Sequence, residues 1–398
     1  MQNAEHLNVK IGKGQLFSEV FITCDLSKTS DNSELTEEYN RLLGFLHNNR
    51  IVPIYEKVFG RLDYYHEFIK TRSSVYKDFT NDFSDVPLTY IQGTPADPHS
   101  RYGGVHLYGI QIHQKSMVTV DNLFFSHKCI GKVIKTKDVQ QSFLLSITGK
   151  PEDASPGETN GESEWNRLFR NVGEMLNQAG FQINDLVRTW IYIPRLLAVY
   201  QSLNTARTNE FQKYNFAEKD KKIAYPASTG IQGRSISDWA TLDAVAVKTV
   251  GTFPVLKPMH NPLQSEAYTY GSDFSRGFVI DWPDYRILHL SGTASIDKEG
   301  NSLYIDDPKK QIEYTMDLFL KFLGNYGADS NNIAHACVFF KNVSDKKLFE
   351  EIVRDRGWFQ FPCLYLQGDI CRGDLVFEID GIAVVEKNRP ESSLCFPA

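Results

Sequence analysis

The sequence contains no run approaching the roughly 20 consecutive apolar residues that a membrane-spanning helix needs, so we expect no membrane partner. It also lacks a dense Lys/Arg tract, and its 43 basic and 49 acidic side chains give a formal net charge of −6. A mildly acidic chain without a basic stripe binds a phosphate backbone poorly, so we expect no nucleic-acid partner. The polar N-terminal stretch MQNAEHLNVKIGKGQ lacks the apolar core of a signal peptide, which predicts a cytoplasmic protein.

Motifs of metal and nucleotide chemistry are absent as well. The sequence has no GxGxxG, Walker A or HExxH pattern, and its ten histidines show no spacing typical of metal ligands. The six cysteines form no CxxC pair, and most lie in apolar stretches, which favours buried, reduced thiols over disulfides or zinc. We therefore predict that the protein uses no metal and no cofactor.

The sequence does contain many apolar residues and an internal repeat. Of its 398 residues, 41% are hydrophobic and 13% are aromatic, which is enough for large cores. Three stretches around a proline recur, and each ends in Gln-Gly: PLTYIQG from Pro87, PASTGIQG from Pro226 and PCLYLQG from Pro362. Their near-equal spacing, 139 and 136 residues, predicts three tandem units.

The same order of elements surrounds each repeated stretch: helix, strand and helix before it, and a closing strand after it. In the second unit, for example, apolar residues at helical spacing predict a helix over Glu164–Ala179, and a strand-like run follows at Leu186–Ile193. The predicted fold class is α+β, with two helices on one face of a mixed sheet in each unit. The predicted units are residues 1–125, 126–252 and 253–398.

Four segments fall outside this pattern. Residues 1–15, Gln114–Gln141 and Val250–Ser265 are predicted to be connectors between the units. The polar, Gly/Pro-rich stretch Gly149–Glu164 is predicted to be an exposed, mobile loop.

The third unit resembles the RidA/YjgF family of small α+β proteins. The resemblance rests on ILHLSGTASIDKEG (Ile287–Gly300), ACVFFKNVSDKKLFEE and GDICRGDLVFEIDGIAVVE, and it covers about 110 residues. Members of that family form trimers with ligand clefts between the subunits. Three tandem units therefore imply a covalent pseudo-trimer, which is compatible with a monomer because its three internal interfaces close a ring.

A longer stretch, from about Val86 to Val385, resembles the chorismatase family of chorismate-cleaving enzymes. The carrying segments are NVGEMLNQAGFQINDLVRTWIYIP, YQSLNTARTNEF, EAYTYGSDFSRG and GDICRGDLVFEIDG. The resemblance implies an enzyme that releases pyruvate from chorismate and leaves a dihydroxycyclohexadiene carboxylate or a hydroxybenzoate. The implied partner is a small dicarboxylate.

One departure from the RidA pattern bears on activity. Imine deaminases of that family usually carry a carboxylate-binding arginine two residues after the motif proline. Those positions here hold Thr89, Ser228 and Leu364, none of which offers a fixed cationic fork, so deamination is disfavoured. Two alternatives to a chorismatase remain: a RidA/YjgF-like protein of another activity, and a non-catalytic protein that binds a small carboxylate.

Cleavage of an enolpyruvyl ether needs a carboxylic acid that protonates the vinyl carbon, and cations that hold two carboxylates. Glu378 is the candidate catalytic acid because it lies in an otherwise apolar closing strand, where burial raises the pKa of a carboxyl group. When the units are aligned on Gly381, the same position holds His106 in the first unit and Thr241 in the second. We therefore predict that only the third unit carries a carboxyl group at this position.

The candidate substrate-binding arginines lie in the stretches that carry the chorismatase resemblance. Arg207 and Arg276 are the predicted carboxylate clamps, because they belong to neighbouring units that share a cleft. If this assignment is right, Arg207, Arg276 and Glu378 line one cleft. Arg188 and Arg372 are further candidates, although Arg188 lies within a predicted strand and Arg372 lies in a predicted turn.

Two tyrosines complete the predicted site. Tyr192 and Tyr270 are candidates for hydrogen bonds to ring hydroxyls, because a tyrosine buries its ring and still offers a donor.

Overall fold

The structure is a computed structural model, and it describes residues 7–79, 83, 85–96, 99–150, 163–216, 223–358 and 361–387. These residues form six α-helices and three β-sheets. No helix among them is long and apolar enough to cross a membrane. Most of the predicted loop Gly149–Glu164 lies outside the described residues.

The first unit contains one five-stranded sheet and two helices. Its elements are β1 (Leu7–Gly12), β2 (Phe17–Asp25), α1 (Asn32–Asn48), β3 (Ile51–Gly60), α2 (Tyr65–Asp78), β4 (Leu88–Gln92), the short β5 (Thr94–Pro95) and β6 (Tyr102–Ile112). The strand order is β1-β2-β6-β3-β4, and β5 instead joins the sheet of the third unit. Asp31 caps α1 by accepting a hydrogen bond from the backbone N–H of Glu34.

The second unit contains a six-stranded sheet. Its elements are β7 (Thr119–Phe125), β8 (Lys128–Lys135), β9 (Val139–Thr148), α3 (Glu164–Gln178), β10 (Leu186–Ile193), α4 (Leu196–Phe211), β11 (Ala227–Gln232) and β12 (Thr241–Thr249). The strand order is β11-β10-β12-β9-β8-β7. Every residue of β10 is buried, because α3 and α4 cover one face of the sheet and the other units cover the opposite face.

The third unit contains a seven-stranded sheet that includes β5. Its own elements are β13 (Val255–Met259), β14 (Gly277–Asp281), β15 (Tyr285–Ala294), α5 (Pro308–Gly324), β16 (Ile333–Phe340), α6 (Asp345–Asp355), β17 (Leu364–Gln367) and β18 (Phe377–Glu386). The strand order is β13-β14-β15-β18-β16-β17-β5. Each sheet is mixed, since β3–β4, β10–β11 and β16–β17 are parallel pairs among antiparallel neighbours.

The three units close a ring around a shared core. Hydrogen bonds join each unit to the next. Thr89 Oγ1 donates to Asp243 Oδ1 (2.6 Å), the backbone N–H of Ser228 donates to Ser291 Oγ (2.9 Å), and Thr23 Oγ1 donates to the Ala334 carbonyl (3.2 Å). One apolar cluster contains residues from the inner faces of all three sheets, while each unit has its own cluster beneath its helices. This arrangement is the predicted α+β pseudo-trimer.

The repeated glycines mark the places where one unit packs on the next. A Cβ atom on Gly93 would lie 2.9 Å from a methyl group of Leu366, and one on Gly233 would lie 2.7 Å from a methyl group of Ile91. In the same cyclic sense, a Cβ atom on Gly368 would lie 3.2 Å from the carbonyl oxygen of Gln232. The repeat in the sequence therefore records the close approach of the units at one end of the ring.

The predicted connectors are wrong, because all three contain strands. Residues 1–15 contain β1, Gln114–Gln141 contains β7, β8 and the start of β9, and Val250–Ser265 contains β13. β1, β7 and β13 are outer strands with many partly exposed residues, so their apolar alternation is weak. β8 lies between β7 and β9 and is mostly buried, but lysines interrupt its apolar residues. The β7–β8 hairpin also spans the division proposed after residue 125, so we place that division between β6 and β7. The division proposed after residue 252 lies between β12 and β13.

The alignment that paired His106 with Glu378 is also wrong by two residues. Glu378 lies opposite Phe339 and Thr241 lies opposite Tyr192, and the matching partner of Phe59 in the first unit is Gly104. The error arises because Gly109 is not the counterpart of Gly381: Gly381 lies opposite Ala336, and the matching residue of the first unit, Glu56, lies opposite Leu107. Neither Gly104 nor Thr241 carries a carboxyl group, so the third unit still differs from the other two at this position.

A buried carboxyl group, Glu19 on β2, lies where the three units meet. It is 2% exposed, and it accepts hydrogen bonds from Gln141 Nε2 (3.4 Å) in the second unit and from the Tyr285 hydroxyl (3.2 Å) in the third. Burial raises the pKa of Glu19 from its ordinary 4.5 to about 7, against the lowering effect of these hydrogen bonds.

Replacing Glu19 by glutamine is expected to stabilise the protein at alkaline pH. The unfolded chain loses this proton near pH 4.5 and the folded chain only near pH 7, so the folded state binds more protons between these values and stability falls as pH rises through them. The full loss corresponds to ~3 kcal/mol. Urea unfolding should therefore show Glu19→Gln more stable than the parent at pH 8, with little difference near pH 4.5. The exposed control Glu37→Gln should show no such pH-dependent gain, and equal gains in both variants would contradict the assignment.

Candidate active site

A cavity of about 220 Å³ lies in the cleft between the second and third units. The second unit contributes α4 and β11, and the third contributes β15, β18 and the segments that precede β14 and β18. The polar and aromatic residues that line the cavity are Tyr200, Gln201, Asn204, Arg207, Ser228, Tyr270, Ser272, Phe274, Arg276, Cys371, Arg372 and Glu378. Five of the seven predicted site residues are among them: Glu378, Arg207, Arg276, Arg372 and Tyr270.

Glu378 supplies the carboxyl group of this cavity. It lies on β18 between Ala294 of β15 and Phe339 of β16, and it is 4% exposed. Burial raises the pKa of Glu378 from its ordinary 4.5 to about 8. The negative charge of Asp380 adds to the rise, and Arg188 opposes it. The carboxyl group therefore keeps its proton at neutral pH.

The backbone beside Glu378 makes room for that carboxyl group. A Cβ atom on Gly292 of β15 would lie 2.1 Å from Glu378 Oε1 and 2.9 Å from its Cδ atom. No other side chain is small enough to leave the carboxyl group in this place.

Arg207 on α4 is a buried cation with unused donors. It is 4% exposed, its Nη2 donates to Asn204 Oδ1 (2.6 Å), and its Nε has no partner. Burial lowers the pKa of Arg207 from its ordinary value, while Tyr200 and Asp273 oppose this shift. A buried guanidinium that lines a cavity and has unused donors is suited to an anionic ligand.

Arg276 and Tyr270 form a second polar group in the same cavity. The Nε and Nη2 atoms of Arg276 donate to the Ser265 carbonyl (2.8 and 2.6 Å), and Nη2 also donates to the Tyr270 hydroxyl (2.6 Å). These bonds fix the plane of the guanidinium and leave Nη1 without a bond to the protein among the described residues. The Tyr270 hydroxyl is thereby held as an acceptor that can donate its own proton onward.

Arg372 and Cys371 lie together in the segment before β18. The Nη1 atom of Arg372 donates to the Gly300 carbonyl (2.7 Å), so this arginine also braces the loop after β15. Burial raises the pKa of the Cys371 thiol to about 12, and the neighbouring Glu378 adds to the rise. The thiol is therefore protonated at neutral pH.

The charge balance of the cavity is positive. Three arginines line it, and its one lining carboxyl group is protonated at neutral pH. The cavity is therefore basic within a chain whose formal net charge is −6. Such a site favours a small ligand with two negative charges.

The structure places Arg188 and Tyr192 away from this cavity. Both face the axis of the ring, where Arg188 is 0% exposed and forms an ion pair with Asp380 (Nη2 to Oδ2, 2.9 Å). Tyr192 packs edge-to-face on Phe59, with ring centroids 6.0 Å apart. They share one strand face because residues of β10 at intervals of two point to the same side of the sheet.

Seven of the polar and aromatic lining residues were not predicted: Tyr200, Gln201, Asn204, Ser228, Ser272, Phe274 and Cys371. A signal for two of them was present, because Tyr200, Asn204 and Arg207 follow the i, i+4, i+7 spacing of one helix face. Phe274 and Cys371 lie in irregular segments where periodicity carries no information.

The cleft between the first and second units is larger but chemically different. Its cavity has a volume of about 770 Å³ and includes Arg72 of α2. Arg72 is already paired with Glu56 (Nε to Oε2, 2.5 Å), and Nη2 donates to the Val86 carbonyl (3.0 Å). The closing strand β12 offers Thr241 at the position that Glu378 occupies in β18.

Chain from the first unit covers the third cleft, between the third and first units. β5 pairs with β17, and the Ala96 N–H donates to the Tyr365 carbonyl (3.0 Å). A Cβ atom on Gly104 would lie 2.5 Å from a methyl group of Leu364, so this cleft is filled by packed atoms at the position that matches Glu378.

Comparisons with known proteins identify the fold. The chain is similar to a crystal structure of a chorismatase, with a TM-score of 0.56 and 18% sequence identity over 83% of this chain and 93% of that one. This likeness confirms the predicted fold class. No sequence-family profile matches the chain, and no curated protein sequence does.

Smaller solved structures match one third of the chain. A putative endoribonuclease L-PSP from Entamoeba histolytica aligns at 15% identity and a TM-score of 0.29, over 33% of this chain and 100% of that one. A protein of the conserved Rid family from Yersinia pestis aligns at 18% identity and a TM-score of 0.28, with the same coverage.

Replacing Gly292 by alanine is expected to displace the Glu378 carboxyl group and to destabilise the protein. The new methyl group would overlap Oε1, and overpacking of this kind costs about 1–3 kcal/mol. Thermal unfolding should show a lowered midpoint for Gly292→Ala. Gly373→Ala is the matched control, since a Cβ atom there meets no heavy atom within 4 Å. Equal midpoints for the two variants would show that the carboxyl group does not need this space.

Proposed function

We propose that the protein cleaves the enolpyruvyl ether of chorismate, releasing pyruvate and leaving a dihydroxycyclohexadiene carboxylate or a hydroxybenzoate. The observation that carries the proposal is the meeting of a protonated buried carboxyl group, Glu378, with three arginines in one inter-unit cavity. The likeness in fold to a crystal structure of a chorismatase, which extends over 83% of this chain, supports it.

The first chemical step is proton transfer from Glu378 to the methylene carbon of the enolpyruvyl group. Protonation of that carbon leaves a cation on the adjacent ether carbon. A carboxylic acid with a pKa of about 8 is protonated at pH 7 and still acidic enough to donate, which is the match that general acid catalysis requires. The carboxylate that remains lies close to the developing cation and stabilises it.

Collapse of the cation completes the reaction. Where water is the nucleophile, its oxygen bonds to the cationic carbon, and Glu378 takes up the proton that the water releases. The resulting hemiketal breaks its bond to the ring oxygen while the proton of its hydroxyl group passes to that oxygen, so pyruvate and the ring alcohol separate. Where no water is added, the bond between the ring carbon and the ether oxygen breaks instead, pyruvate leaves with that oxygen, and the ring loses a proton to the Glu378 carboxylate to become a hydroxybenzoate.

The arginines have the placement to hold the two carboxylates of the substrate. Arg207 lines the cavity from the second unit and Arg276 from the third, so a dianion between the two guanidinium groups would be held across the cleft. The Tyr270 hydroxyl, oriented by Arg276, is placed to donate to a ring hydroxyl or to the attacking water. A protein that only bound a small carboxylate would use the same arginines but would not need the protonated Glu378.

Incubation of the purified protein with chorismate is expected to release pyruvate, and Glu378→Gln should lose most of this activity. An amide has no proton to donate to carbon, and loss of a general acid costs about 10²–10⁴ in rate. The parent rate should be level below about pH 7 and should fall about tenfold per pH unit above 8, since only the protonated carboxyl group is active. A coupled lactate dehydrogenase assay measures both effects.

The control is Glu386→Gln, at the exposed end of the same strand, which should leave the rate unchanged. No pyruvate above the spontaneous decay of chorismate, at high protein concentration, would defeat the proposed function. Chorismate binding without turnover would favour the carboxylate-binding alternative.

Replacing Arg207 by methionine is expected to lower kcat/KM for chorismate by roughly thirty-fold, which corresponds to ~2 kcal/mol for one lost charge-assisted hydrogen bond. Methionine keeps most of the packing volume and removes the charge. Arg195→Met, an exposed arginine at the N-terminus of the same helix, should leave kcat/KM unchanged. A thirty-fold loss in the control, or none in Arg207→Met, would remove Arg207 from the binding site.

A further inference from the structure

Two buried carboxyl groups lie side by side on β18. Glu378 and Asp380 are two residues apart on one strand, so both side chains point to the same face of the sheet. They are 4% and 3% exposed. Arg188 reaches this face from β10 of the second unit, and its charge acts on both groups.

Only one of the three guanidinium nitrogen atoms of Arg188, Nη2, is hydrogen-bonded among the described residues. Its Nη2 lies 2.9 Å from Asp380 Oδ2 and 2.7 Å from Thr229 Oγ1, and Thr229 Oγ1 in turn donates to Asp380 Oδ2 (2.7 Å). Its Nε and Nη1 atoms have no partner. Within the part of the chain that the structure describes, no arginine forms an ion pair with Glu378.

We propose that Asp380 is a positioning residue. By holding the Arg188 guanidinium on its own carboxylate, it keeps that buried cation from pairing with Glu378, which then retains the proton that the proposed reaction uses. The catalytic meaning of this inference rests on the proposed function, whereas the electrostatic arrangement does not.

The other charged and titratable groups around Glu378 come from three parts of the chain, and each arginine among them is hydrogen-bonded to an acceptor other than Glu378. From the segment before β18 come Cys371 and Arg372, from α4 come Tyr200 and Arg207, and from the segment before β14 comes Arg276. Arg276 is bonded to Ser265 and Tyr270, Arg372 to the loop after β15, and Arg207 to Asn204. The orientation of the buried Arg188 guanidinium therefore depends on one carboxylate, that of Asp380.

Removing either partner of the ion pair should move the proton affinity of Glu378 in opposite directions. Asp380→Asn leaves Arg188 unbalanced beside Glu378, and an unpaired cation near a carboxyl group lowers its pKa by about 1–3. Arg188→Met leaves Asp380 unbalanced and should raise the pKa of Glu378 above its present value of about 8. The double variant removes both charges and should return the pKa to within about half a unit of the parent.

The ring offers a matched control in Asp243, which occupies the position of Asp380 in the second unit. Asp243 lies opposite Trp190 on β12, as Asp380 lies opposite Cys337 on β18. It is 1% exposed, and it is bonded to Thr89 and lies 3.4 Å from Lys57 Nζ. Asp243→Asn therefore removes an equally buried, paired carboxylate from a strand that carries Thr241 instead of Glu378.

The pKa of Glu378 is measured by infrared titration of the protonated carboxyl group, assigned by its loss in Glu378→Gln. We expect a fall in Asp380→Asn, a rise in Arg188→Met, recovery in the double variant and no change in Asp243→Asn. An unchanged pKa in Asp380→Asn, or an equal fall in Asp243→Asn, would overturn the inference. If Asp380→Asn does not fold, an unchanged or lowered pKa in Arg188→Met overturns it in the same way.

The pH profile of pyruvate release supplies the second readout. In Asp380→Asn the alkaline limb should move at least one unit toward acid, so the rate at pH 7.5 falls at least about threefold and recovers on acidification. A merely structural role would lower the rate equally at all pH values. Pyruvate release with an unmoved profile overturns the positioning role and leaves the proposed function intact. Failure of the parent to release pyruvate defeats the function, while the infrared titration still decides the positioning role.

Discussion

The cost of ionising Glu378 in a dry cleft is the constraint on which the site depends. A carboxyl group keeps its proton at neutral pH only where its charged form is poorly solvated and no cation pairs with it. The cleft between the second and third units meets the first condition by burying Glu378 on a strand covered on both faces. It meets the second by tying each nearby arginine to another acceptor, so the site is basic toward a ligand and yet leaves its own acid neutral.

A ring of three units in one chain makes this condition possible at one cleft without imposing it on the others. In the second unit the matching strand carries Thr241, and in the first unit it carries Gly104. Arg72, the arginine of the cleft between the first and second units, is paired with Glu56. In a trimer of identical subunits all three clefts would be the same. A basic cleft with a protonated carboxyl group would then occur three times, each time with the free-energy cost of its buried charges.

The sequence predicted most of the fold, because its central strands and helices are strongly patterned. The bounds of β10 agree with the predicted range Leu186–Ile193, since this strand is a mainly apolar, β-branched and aromatic run between two helices. The outer strands β1, β7 and β13 were missed because partly exposed edge strands alternate weakly, and the inner strand β8 was missed because lysines interrupt its short apolar run. The alignment of His106 failed because it was anchored on Gly109, whereas the strand pairing makes Leu107 the counterpart of Gly381.

The site was predictable where the chain's own spacing or the family resemblance placed a residue at the cleft. Arg207, Arg276 and Glu378 line one cavity, as the sequence analysis expected. Arg188 and Tyr192 could not be assigned from sequence, because a strand that is buried on both faces shows no alternation that tells which face meets the neighbouring units. Only the assembled ring shows that their face of β10 points to the axis.

The pairing of β5 with β17 has a consequence for how the protein is made. This short strand from the first unit is an edge strand of the third unit's sheet. Residues that are synthesised early can therefore pair only after residues near the end of the chain have been synthesised. Domains of a nascent chain generally fold as they emerge, and contacts distant in sequence form last. The first two units can therefore gain their helices and sheets on the ribosome, while the ring itself closes only after Leu364–Gln367 has been released from the exit tunnel. Until then the inner faces of two sheets stay uncovered, which makes the interval before closure the period of greatest exposure to aggregation.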